Sequence, residues 1–81
     1  MKTIIFTSAA ARQLDALPDA VRDQLLSDLD RYAMTGQGDV KRLSGRDAYR
    51  LRSGRYRVLF DEDRTTVLAV YVGKRETTTY R

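Results

Sequence analysis

The 81-residue chain has no cysteine and no histidine. Without thiols, no disulfide can brace a core that is near the lower size limit for a self-sufficient domain, and no thiolate can hold a metal. Such a composition fits a reducing compartment. The missing histidine removes both the commonest general base and the commonest metal ligand. No apolar run exceeds a few residues, so nothing is expected to span a membrane, and the apolar part of Met1–Thr7 is too short for a signal peptide. The expectation is one cytoplasmic domain over residues 1–81, with no metal and no cofactor.

Basic residues, by contrast, are plentiful and unevenly placed. Residues 1–40 hold four basic side chains against six acidic ones, a net −2. Residues 41–81 hold eleven against five, a net +6. A basic half of this kind is the electrostatic footprint of a phosphate-rich partner, with salt-sensitive nucleic-acid affinity as the minimum consequence.

The densest part of that half is Tyr49–Phe60, Tyr-Arg-Leu-Arg-Ser-Gly-Arg-Tyr-Arg-Val-Leu-Phe. Apolar and basic residues alternate on either side of Ser53-Gly54, which predicts a β-hairpin with those two residues as its loop. Arg52 would then face Arg55, Leu51 face Tyr56, Arg50 face Arg57, and Tyr49 face Val58. One sheet face would carry Tyr49, Leu51, Tyr56, Val58 and Phe60, a core surface. The other would carry Arg50, Arg52, Arg55 and Arg57. Like charges opposed across strands are destabilising, and an anion lying across the face accounts for their retention. Arginine suits phosphate because its planar fork donates two parallel hydrogen bonds. The alternative is an ordinary solvated face, against which stands the lack of any acidic residue between Tyr49 and Phe60.

Around the hairpin, Lys2–Thr7 reads as a first strand, with β-branched Thr3, Ile4 and Ile5. Ser8 is placed to cap a short helix over Ala9–Ala16, and Pro18 to open a second one. Val21, Leu25, Leu29, Tyr32 and Ala33 make an apolar stripe widened by Leu26, and Gly36 ends the element. Residues 37–47 read as a polar connector whose Lys41, Arg42 and Arg46 either reach the same anion or are solvated loop charges. Asp61–Arg64 forms a charged turn, and Thr65–Gly73 a last strand, apolar on both faces and so either central in its sheet or covered on one side by helix and on the other by a partner. Pairing Val58 with Val70 would put Tyr71, Gly73 and Arg75 on the arginine face. The expected fold is α+β in two layers: a strand, two helices covering one sheet face, then a three-strand antiparallel meander (β-α-α-β-β-β) with its arginine face open.

Leu43-x-Gly45, Tyr49-Arg50-Leu51-Arg52-x-Gly54-x-Tyr56-Arg57-Val58-Leu59-Phe60, Val70-x-Val72-Gly73-Lys74-Arg75 and a closing Tyr80 together resemble the RelE/ParE superfamily of bacterial type II toxins. The likeness runs over nearly the whole chain. RelE-like members are ribosome-dependent mRNA interferases that cut mRNA in the ribosomal A site. ParE-like members poison DNA gyrase and generally lack the RelE set of basic residues plus terminal tyrosine. This chain keeps that set in Arg50, Arg52, Arg57, Arg75 and Tyr80, which implies the nuclease branch. The resemblance implies that Arg57 and Arg75 hold the scissile phosphate, that Arg75 assists the leaving oxygen, and that Tyr80 stacks on a base and orients the 2′-hydroxyl. Arg52 joins them as a catalytic candidate, and Arg50, Arg55, Lys41, Arg42 and Lys74 as phosphate-binding candidates.

One departure is chemical. Some relatives have lysine where Arg52 stands and assign it the base, but arginine stays protonated at any working pH. Tyr80 with a lowered pKa, Arg52 confined to orientation and charge, and Lys74, although its strand parity points it to the other face, remain open alternatives. The resemblance also implies a cognate antitoxin, acidic in character, that folds on binding. The competing functions are a gyrase poison and a non-catalytic RNA- or ribosome-binding module.

Overall fold

A computed structural model describes residues 1–43 and 48–74. The order of elements is β1 (Thr3–Phe6), α1 (Ser8–Asp15), α2 (Asp19–Thr35), β2 (Val40–Arg42), β3 (Ala48–Ser53), β4 (Tyr56–Glu62) and β5 (Thr66–Lys74). The five strands form one mixed sheet in the order β1-β5-β4-β3-β2. Only β1 runs parallel to its neighbour, pairing Ile4 with Val67 and Phe6 with Ala69. The two-layer α+β arrangement matches expectation, with one addition. Val40–Arg42, expected to be connector, is a fourth strand of the meander on β3, too short for period-two alternation to reveal it.

The helices begin slightly differently from their sequence signals. Thr7, not Ser8, caps α1: its backbone is extended, and its Oγ1 accepts the Ala10 N–H at 3.1 Å. Pro18 is the residue flanking α2, which starts at Asp19 and ends where Gly36 turns left-handed (φ 79°). α1 lies over β5 and β1, and α2 lies over β3 and β1. Leu25 and Leu29 from α2 meet Leu51, Val58, Phe60 and Val67 from the sheet, all fully buried. Each such side chain contributes about 1.5–3 kcal/mol of burial, which suits a chain without crosslinks. Tyr49 stacks on Phe60 (centroids 5.4 Å apart), and Tyr32 of α2 tilts against the same ring.

The hairpin register differs from the expected one. Ser53 pairs with Tyr56, so the loop is Gly54-Arg55. Gly54 has φ +60°, while no described non-glycine residue has positive φ. That is the backbone signature of a type II′ turn, with glycine at its first central position. A loop shifted by one residue keeps each strand's faces but slides the partners. Arg52 faces Arg57, Arg50 faces Leu59, and Arg55 leaves the strand for the turn.

β5 is likewise displaced by two from the expected pairing, Val58 facing Val72 and Arg57 facing Gly73. A β-bulge follows: Leu59 pairs with Tyr71 but Phe60 with Ala69, leaving Val70 as the extra residue. The bulge lets Val67, Ala69 and Val72, which do not share parity, all reach the core. Past Ala69, where β1 has ended, the Val72 N–H donates to Gln13 Oε1 of α1 at 2.8 Å, satisfying a donor on the sheet edge. The β4–β5 turn is held by Asp63, whose Oδ1 accepts the Thr65 and Thr66 N–H groups. Those bonds hold its carboxyl below the ordinary range.

Candidate functional site

The sheet face away from the helices carries two cross-strand rows. Lys41 (β2), Arg50 (β3), Leu59 (β4) and Tyr71 (β5) are consecutive partners in the first. Arg52, Arg57 and Gly73 are consecutive partners in the second. Four cations thus share one small open surface, and two pairs of them, Lys41 with Arg50 and Arg52 with Arg57, are directly opposed.

Among the described residues their neutralisation is slight. Asp39, just before β2, comes within 3.5 Å of Arg52 Nε, but the carboxylate is 64% exposed and the pair adds little to stability. Arg50 Nε and Arg57 Nε are buried and have no hydrogen-bond partner among the described residues. A buried donor without an acceptor costs free energy, and more when the group is charged. An oxyanion over the face would supply that acceptor, in a geometry the sheet has already set. Electrostatics and the unused donors therefore point to the same ligand class.

Arg57 is further positioned by Tyr71, its Cζ lying 5.7 Å from the ring centroid. Tyr71 leans along β5 over Gly73, where a Cβ would come within 2.3 Å of the phenol oxygen. Glycine is needed there for room; its backbone is ordinary.

Of the nine residues singled out from the sequence, Arg50, Arg52, Arg57 and Lys41 are brought together. Arg42 pairs with Tyr49 and Lys74 with Tyr56, which places both on the helix-covered face. Arg55 also leaves the arginine face: it sits in the turn and lines a cleft of about 300 Å³ with Val21, Gln24 and Tyr56. For Arg42 and Arg55 this corrects the expected placement, through strand parity and the one-residue shift of the loop; Lys74 faces away as its parity in the strand implied. Arg75 and Tyr80, like Gly45 and Arg46, lie outside the described residues. Sequence reasoning placed Tyr71 on the arginine face without giving it a role, and did not count Asp39 in the site. Asp39 arrives through the three-residue β2, whose only signal is Val40; Tyr71 is a site residue because Gly73 follows two positions later.

Comparison with known proteins adds to this geometry. No protein-family model matches the chain, and no curated protein matches it. Among solved structures it is similar to the toxin–antitoxin complex RelBE2 of Mycobacterium tuberculosis, with 30% identity, 91% of this chain and 98% of that one covered, and a TM-score of 0.71. The chain belongs to the RelE-like toxin superfamily. The intact Escherichia coli RelBE toxin–antitoxin complex is similar at 28% identity, covering 94% of this RelE-like chain and 99% of that one, with a TM-score of 0.75. The isolated E. coli RelE toxin, 23% identical, shares the fold at a TM-score of 0.83 over 96% and 88% of the two chains. No helix among the described residues of this RelE-like protein is long and apolar enough to cross a membrane.

Proposed function

We propose that this RelE-like protein is the toxin of a type II toxin–antitoxin system and acts as an endoribonuclease that cuts mRNA on the ribosome. The observation that carries the proposal is the open face on which Arg50, Arg52, Arg57 and Lys41 converge, two of the arginines holding buried donors without partners among the described residues. RNA can be cut by its own 2′-hydroxyl. The 2′-hydroxyl gives its proton to a general base as its oxygen forms a bond to phosphorus, the bond to the 5′-oxygen breaks, and that oxygen takes a proton, leaving a cyclic phosphate and a 5′-hydroxyl. Negative charge builds on the phosphoryl oxygens as the bonds exchange. Fixed guanidinium groups aimed at those oxygens stabilise the transition state more than the ground state.

In this scheme Arg57 and Arg75 hold the scissile phosphate, Arg75 assists the leaving oxygen, and Tyr80 stacks on a base and orients the 2′-hydroxyl. Arg52, always protonated, contributes charge and orientation and does not act as the base. Arg50 and Lys41 follow the RNA backbone away from the cut. The partner is a cognate antitoxin, since several similar structures are toxin–antitoxin complexes. The decisive experiment is primer extension on a reporter mRNA in a cell-free translation system, with a gyrase-dependent DNA-break assay beside it. New 5′ ends within the translated frame, absent when translation is blocked, are expected. Intact mRNA together with gyrase-dependent breaks would overturn the proposal.

A further inference from the structure

We infer that Tyr71 forms a nucleobase subsite next to the phosphate-binding arginines, a role that rests on the ribonuclease function proposed above. The ring is partly exposed on the open face, in the same cross-strand row as Arg50 and Lys41. It is held in place from two sides. Gly73 leaves room for the phenol to lie along the strand, and the Arg57 guanidinium sits 5.7 Å from the ring centroid. Leu59, its partner on β4, gives the subsite an apolar flank.

This puts a cation for the phosphate and an aromatic surface for the base within one nucleotide's reach. The same pairing of groups recurs wherever single-stranded nucleic acid is bound without strict sequence preference. The ligand class is an unpaired base of any identity, because every base has a π-face, and double-stranded RNA, whose bases are already stacked, is disfavoured. The alternative role, a ring that merely covers Gly73 in an open sheet, is also physically sound. The two differ in one measurable respect: only the subsite makes binding depend on the presence of bases.

Fluorescence anisotropy at low salt compares a labelled oligouridylate with the same sugar-phosphate backbone carrying abasic residues. Base–aromatic stacking gives an expected preference of about tenfold for the intact oligomer. Tyr71→Ala removes that preference, and Tyr71→Phe keeps it. Gly73→Ala, which retains the ring but blocks its seat, also removes it, so the test survives if Tyr71→Ala folds poorly. An unchanged preference in both Tyr71→Ala and Gly73→Ala, or its loss in Tyr71→Phe, overturns the subsite. mRNA cleavage by the wild-type protein is read separately. A protein that shows the Tyr71-dependent preference without cutting mRNA keeps the subsite and loses the ribonuclease function; one that cuts without the preference does the reverse.

Discussion

Ser53 donates its hydroxyl to Asp28 Oδ2 across 2.7 Å, tying the last residue of β3 to the middle of α2. Ser53 is the one buried polar residue among those described, and its bond settles where the arginine hairpin stands relative to the helices. Asp28 also accepts from Gln24 at 3.0 Å and lies 3.5 Å from Arg31. Ser53→Ala should cost about 1–2 kcal/mol, because the Asp28 carboxylate loses a donor in a place water reaches poorly. The check is a lower urea midpoint with an unchanged slope. A midpoint equal to wild type would show that the contact contributes nothing.

Gly54→Ala isolates the turn. The residue needs φ +60°, a region that costs an L-residue about 1–2 kcal/mol, and no atom crowds the space a Cβ would fill. The whole loss should therefore be backbone strain. Urea unfolding of Gly54→Ala and Gly54→Asn should show the alanine variant destabilised by that amount and the asparagine variant by less.

These two contacts mark what could and could not be read in advance. The core face of the hairpin and the open arginine face follow from alternation, which assigns faces without knowing any partner. The partners depend on which two residues turn, and Ser53-Gly54 and Gly54-Arg55 both contain the glycine. The second wins because it puts Ser53 on the helix side, where Asp28 bonds it, and Tyr56 beside it. In the same way, Val70 reads as an ordinary strand residue, and only the pairing of Leu59 with Tyr71 and of Phe60 with Ala69 shows that it is bulged. The site was legible as a set of arginines. Its boundary was not, because Arg42 and Arg55 leave it for reasons of register that composition does not carry.

Arg57 should show function and stability pulling apart. It faces Arg52, and its buried Nε lacks a partner among the described residues, so its contribution to folding is small or negative. Arg57→Leu keeps an apolar stem against Tyr71 and removes the charge. Cleavage on the ribosome should fall by about 100-fold or more, as for loss of one transition-state donor. Thermal stability should hold or rise slightly. A parallel loss of both would make Arg57 a structural residue.

Tyr32 and Glu62 predict an alkaline limb to stability. The Tyr32 hydroxyl donates to Glu62 Oε1 at 2.6 Å, and Lys2 pairs with the other carboxylate oxygen. Burial first, then the hydrogen bond to Glu62 and its negative charge, raise the Tyr32 hydroxyl well above its ordinary value near 10. The unfolded chain thus loses this proton at lower pH than the folded one. The stability linked to it is whole below pH 10 and declines as pH climbs from there toward the raised value. Subtracting the stability profile of Tyr32→Phe from that of wild type should leave a difference that is flat at neutral pH and falls above pH 10. A difference that stays flat would remove the coupling.

Lys41 and Arg42 are neighbours of like charge in the same short strand, yet they face opposite ways: Lys41 pairs with Arg50 on the open face and Arg42 with Tyr49 on the helix side. If RNA lies across the open face, only Lys41 displaces counterions when it binds. The dependence of log K on log salt should flatten by about 0.7 for Lys41→Ala, the amount expected for one phosphate contact on a single strand. Arg42→Ala should leave the slope as it is, whatever it does to the fold. Equal slopes for the two variants would mean that nucleic acid does not distinguish the two faces of the sheet, and the convergence of cations on one of them would then have no bearing on binding.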